Sequence, residues 1–203
     1  MLSEFLLLAT AHVFAVASPG ADFALVLKNT LRSGKSAGLA TAIGVGLGIL
    51  VHMAYTLFGV AILLSQSEIL FRIVKYSGAI YLLWLGYQCF SSRSSKENSN
   101  NNSEIISLKF FDAVRQGFVV NVLNPKVTLF FVALFTTIVS ATTPLWVQSI
   151  YAIWLSVYTM LWFALVAWGF SRKSVLIWYR THGHYIDWVM GGFLVLIAVR
   201  LLV

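Results

Sequence analysis

The chain has 203 residues, 59% hydrophobic and 10% charged, with a formal net charge of +7 and a mean hydropathy of +0.84. Soluble domains average about 45–50% apolar and about 25% charged, so a water-soluble fold is excluded and lipid must solvate much of the surface. Nucleic-acid binding is set aside because the bases fall in short runs between apolar segments, the pattern that orients a membrane protein. A single cysteine, Cys89, excludes an internal disulfide, a paired-cysteine redox centre and a cysteine-based zinc site.

A helical span needs about 20 apolar residues, within a range of about 17–25. Six segments meet this: 2–27, 39–64, 69–90, 117–140, 146–170 and 183–203. The first opens apolar with Glu4 as its early charge and lacks the basic start of a signal peptide, so it reads as a retained span. It breaks at Ser18-Pro19-Gly20 and sets a carboxylate at Asp22. Proline removes an N–H and clashes with the carbonyl four residues earlier, so Pro19 should free the carbonyl of Ala15. A backbone group left unsatisfied in hydrocarbon costs several kcal/mol, and such breaks persist where protein or water faces them.

The second span carries Gly44-x-x-x-Gly48 after Ala40. Small residues at this spacing let helices approach closely; core packing is the first expectation and a homodimer interface the second. His12 in the first span and His52 in the second titrate near physiological pH. Either could carry a coupling proton, although a lone histidine in an apolar helix is more often a packing residue. His52, central in its span, is the stronger candidate.

The third span is crowded at its start by Arg72 and Lys75. The polar tract 91–112 that follows has little to bury and reads as a flexible loop dividing a first three-span unit, 1–90, from a second, 113–203. The fourth span breaks at Asn124-Pro125-Lys126, where Pro125 should free the carbonyl of Asn121. The fifth span is uninterrupted. Asp187 and Arg200 crowd the sixth, and His182 and His184 beside the fifth loop are expected to be solvated. Trp146 and Trp178 near span ends suit an aromatic belt.

With Ser18 set over Asn124, the positions Ala11, Ala15, Ser18 and Asp22 fall over Gly117, Asn121, Asn124 and Thr128. Both sets step by four, three and four residues along one helical face. Three spans per half oblige the second half to enter the membrane the other way up. The fold class expected is therefore an all-α integral membrane protein of six transmembrane helices in two inverted three-helix repeats. Many secondary transporters are built so, with the site near the midplane at interrupted helices. The 1–2, 3–4 and 5–6 connections with their flanks hold ten bases, Lys28, Arg32, Lys35, Arg93, Lys96, Lys109, Arg115, Arg172, Lys173 and Arg180, against Arg72, Lys75 and Arg200 on the other side. Positive charge stays cytoplasmic, so both termini should face outward.

An intramembrane ionisable residue is by default a functional candidate. An amino-acid zwitterion needs an acceptor for its ammonium and a cation or helix N-terminus for its carboxylate. Asp22 and Lys126 could supply these, with Ser18, Asn121, Asn124 and Thr128 as hydrogen-bonding partners. Two other readings stand beside this one: Asp22 and Lys126 neutralise each other as a structural pair, or Asp22 lies near the cytoplasmic interface beside Lys28. Asp22 and His52 are the candidates for proton coupling. Nothing resembling HExxH, a P-loop, GxSxG or a cysteine pair occurs, so no enzyme activity, metal centre or cofactor is expected.

Four stretches, "SPGADF", "GLATAIGVGLGILVH", "GAIYLLWLGYQ" and "AVRQGFVVNVLNPKVTLFF", occur in that order, and through them the chain resembles the LysE/RhtB family of bacterial amino-acid exporters. The likeness covers nearly the whole chain and thins after Thr142. Where the family's first break often reads SPGP, Ala21 takes the place of the second proline and Asp22 remains. The resemblance implies six spans in the bacterial inner membrane and proton-driven efflux of threonine, homoserine or other small neutral amino acids. Distant relatives that export metal ions supply the alternative, a divalent-metal or other small-solute exporter, for which Asp22, His12 and His52 make a thin ligand set.

Overall fold

The computed structural model describes residues 1–66, 68–91, 108–140 and 142–202, and these form eight α-helices. They are α1 (Leu2–Ala17), α2 (Ala21–Ser33), α3 (Lys35–Gln66), α4 (Glu68–Ser91), α5 (Phe110–Val122), α6 (Pro125–Ile138), α7 (Leu145–Phe170) and α8 (Lys173–Leu202). Both proline breaks occur where the sequence puts them. α1 and α2 meet at 53° across Ser18-Pro19-Gly20, and α5 and α6 at 56° across Leu123-Asn124. Pro125 occupies the first turn of α6, where its missing N–H costs nothing.

Part of α3 (Lys35–Gly59) and all of α7 (Leu145–Phe170) are each long and apolar enough to cross a membrane, and each bent pair passes as one broken span. Among the described residues α4 and α8 do not pass by themselves, in keeping with Arg72 and Lys75 in the one and Asp187 in the other. Two sequence boundaries shift. α8 begins at Lys173, so the expected fifth loop shrinks to Ser171-Arg172 and both His182 and His184 are helical. His182 is exposed, but His184 is half-buried with its ring 4.0 Å from that of Tyr185. α5 begins at Phe110, so the polar tract ends earlier than 112; its 92–107 stretch lies outside the described residues.

α3 is the central post, packed along α5, α7 and α2, while α4 packs on α8 and α6. Its glycines set how close α5 comes. A Cβ on Gly44 would collide with the carbonyl oxygen of Val114, and one on Gly117 with the carbonyl of Thr41. One on Gly48 would enter the side chain of Asn121. The Gly44-x-x-x-Gly48 face is thus filled by α5 of the same chain, which corrects the secondary expectation of a homodimer through it.

Two apolar clusters result. One joins α1, α3, α4, α6, α7 and α8 around Leu8, Met53, Leu82, Phe131, Phe135 and Leu194. The other joins α2, α3 and α7 around Phe23, Val26, Val45, Phe163 and Phe170. Large apolar side chains also cover the outside, Phe58, Leu161 and Leu196 each about two-thirds exposed, as a lipid-facing surface requires.

Candidate functional site

A cavity of about 40 Å³ opens between the two helix breaks. Ile49, Phe130 and Phe131 of the first cluster and Phe23 and Phe163 of the second form its apolar walls. Its polar lining is Ser18, Asp22, Asn121, Asn124 and Lys126, with His12 and Thr159. Five of the six side chains expected at a binding site therefore converge here. Thr128, the sixth, does not line the cavity; its hydroxyl accepts a hydrogen bond from Tyr55 at 2.9 Å.

Asp22 and Lys126 are not an ion pair in this structure; each is engaged by the opposite break. Asp22 Oδ2 accepts from the side-chain amides of Asn121 at 3.1 Å and Asn124 at 3.2 Å. Lys126 Nζ donates to the carbonyl of Ser18 at 3.2 Å and to its hydroxyl at 3.0 Å. The first break thus presents oxygens to the cation of the second, and the second presents amides to the anion of the first. Asp22 is buried, 8% exposed.

Asn124 also caps α6, its Oδ1 accepting from the backbone N–H of Lys126 at 3.0 Å. Gly20 caps α2 in extended conformation without a side-chain bond, so the first-turn N–H groups of α2, beside Gly20 and Asp22 in the lining, present a positive dipole end. The Asn121 carbonyl freed by Pro125 takes Nε2–H of His52 at 2.8 Å and the Asn124 N–H at 2.8 Å. The carbonyl is thus satisfied by one side chain, His52, and one backbone N–H. His52 Nδ1 lies against the Tyr55 hydroxyl, which leads on to Thr128.

Besides His12 Nδ1, two buried oxygens of the cavity-lining residues have no hydrogen-bond partner, Asp22 Oδ1 and Asn121 Oδ1. Buried polar atoms are satisfied in the great majority of cases, and both of these are oxygens that call for a donor.

Sequence reasoning missed three groups. Thr159 reaches the cavity from α7, and Cys89 of α4 lies with Sγ 3.2 Å from Ser18 Oγ. Asp187 of α8, buried and within electrostatic reach of Lys126, read in the sequence as mere crowding at a span end. Its signal was an acid followed by an apolar helical run to Leu196; Thr159 and Cys89 had none, since each is a small residue in an ordinary apolar helix.

The family described as LysE type translocator matches residues 13–203. The "Uncharacterized membrane protein YahN" of Escherichia coli (strain K12) is 29% identical over 185 residues, covering 91% of this chain and 82% of its own. The "Threonine efflux protein" of the same strain is 27% identical over 207 residues, covering 100% and 99% respectively. The "Uncharacterized membrane protein YrhP" of Bacillus subtilis (strain 168) is 34% identical over 122 residues, 57% of this chain and 58% of its own. No solved structure matches the chain.

Proposed function

The chain belongs to the LysE type translocator family, and on that premise we propose that it exports small neutral amino acids, with the cavity between the two breaks as the substrate site. The observation that carries this reading is the pair of unpartnered acceptors, Asp22 Oδ1 and Asn121 Oδ1, lining one cavity with Lys126, whose Nζ is held by Ser18. A protonated α-amine supplies the donors these oxygens lack. The α-carboxylate is met by Lys126 Nζ and by the N-terminus of α2. Asn124 and Ser18 hold Asp22 and Lys126 apart and ready, and Thr128 supports His52 through Tyr55. A divalent cation entering the same cavity would be repelled by Lys126. The threonine efflux relative, 27% identical along its whole length, is consistent with an amino-acid cargo.

Transport is by proton antiport, with Asp22 as the principal coupling group. A buried carboxylate needs either a counter-cation or a proton, so the ammonium-bound and the protonated forms of Asp22 are mutually exclusive, and departure of the one accompanies arrival of the other. His52 is the second proton site, its Nε2–H held by the freed carbonyl of Asn121. The 53° and 56° breaks, each beside a proline, support two inverted three-helix repeats. α4 and α8 complete the six spans, with both termini on the outer side of the bacterial inner membrane. Their charged ends rest at the interface.

Growth of cells expressing the chain in inhibitory amounts of single amino acids tests the reading. Tolerance and lower internal accumulation of a small neutral amino acid are expected. Tolerance to divalent metals with no effect on any amino acid would replace it with metal export.

A further inference from the structure

His12 is the buried imidazole that the proposed chemistry leaves unused. It is 2% exposed and lines the cavity, six residues before Ser18. That places it about 9 Å along α1 from the break, roughly the length of a small amino acid with a hydrogen bond at either end. Its Nε2 lies 2.9 Å from Thr159 Oγ1. Nδ1 has no partner. In the tautomer whose Nε2–H donates to Thr159, Nδ1 keeps a bare lone pair. Phe131 stacks on the ring at 5.7 Å and Tyr158 meets it edge-on at 5.8 Å, so the imidazole cannot turn to solvent.

We infer that His12, backed by Thr159, is the specificity determinant at the far end of the cavity: its Nδ1 accepts a hydrogen bond from the side-chain hydroxyl of the exported amino acid. This rests on the amino-acid site proposed above and names what that site reads beyond the zwitterion. Apart from Thr159, the wall around His12 is apolar, made by Phe130, Phe131 and Ile49. A cavity of about 40 Å³ holds about three waters, so a short side chain displaces its walls least. An apolar pocket separates a hydroxyl from its methyl isostere poorly, whereas a site with a buried polar group leaves that group unpaired when the isostere binds.

Purified protein in proteoliposomes with an imposed proton gradient separates these cases, using two isosteric pairs, threonine against valine and homoserine against norvaline. The hydroxylated member of at least one pair should be favoured at least about tenfold. In His12→Leu and in Thr159→Val the ratio should fall toward about one, whatever the absolute rate. In His12→Asn, which keeps an acceptor at the δ position, part of it should survive. Equal rates within both pairs for the wild-type protein would overturn the role of His12 and leave the exporter reading standing. So would an undiminished ratio in His12→Leu and Thr159→Val. Failure of the wild-type protein to move any of the four would overturn the exporter reading and this inference with it.

Discussion

At the residue scale, the site is made of charges that are held but not paired with each other. If Asp22 is both the acceptor for the ammonium and the coupling group, as proposed, Asp22→Asn should lower export roughly 100-fold, the weight of a charged hydrogen bond, while the protein remains in the membrane. Lys126→Ala should raise the substrate concentration needed for half-maximal transport, measured in vesicles, more than it lowers the maximal rate. The double variant should be as inactive as the worse single one, because the carboxylate and the ammonium have separate partners. Recovery in the double variant would restore the structural-pair reading of the two charges. Much of this was legible in the sequence: the polar residues flanking each proline at matched spacing identified Ser18, Asp22, Asn121, Asn124 and Lys126. What was not legible was who satisfies whom. The Asn121 carbonyl finds a histidine 69 positions away, and no local pattern announces such a contact. Thr128 was placed by its helical face, but it projects past the cavity edge to Tyr55 and His52.

At the element scale, the glycines of α3 and α5 decide the position of the second break. Gly117→Ala would drive a methyl into the backbone of Thr41 and Val45. Backbone cannot rotate aside as a side chain can, so the cost should be about 1–3 kcal/mol, seen as a lower melting temperature in detergent. Gly59→Ala, with nothing within 4 Å of the added methyl, should leave that temperature nearly unchanged. Equal effects of the two substitutions would remove the close α3–α5 approach from the account. The Gly-x-x-x-Gly spacing gave the existence of a tight contact but not its partner, since small faces are equally suited to a neighbouring helix or to a second copy. Span boundaries were readable at the prolines, where chemistry stops a helix. They were not readable at α8, which extends through the basic and aromatic stretch from Lys173 to Trp188, because charge at an interface does not itself end a helix.

At the scale of the whole molecule, hydropathy alone set the solvent and the helical class, because so apolar a chain cannot cover itself with polar surface. The matched breaks brought two distant segments to one cavity, and six spans in inverted repeats follow if α4 and α8 cross as well. Reporter fusions after Leu202 and within the 92–107 tract should then report opposite sides of the membrane, outside and cytoplasmic respectively. Both fusions on one side would break the six-span arrangement and the antiparallel relation of the two halves.

The central claim, a zwitterion site between the breaks coupled to protons through Asp22, is most directly tested in inside-out membrane vesicles with an acidified lumen. Labelled small neutral amino acids should accumulate in vesicles carrying the wild-type chain. The accumulation should collapse when the proton gradient is dissipated and be absent with Asp22→Asn. Equal accumulation with Asp22→Asn, or none for any amino acid while the wild-type protein is present and the gradient intact, would contradict the account.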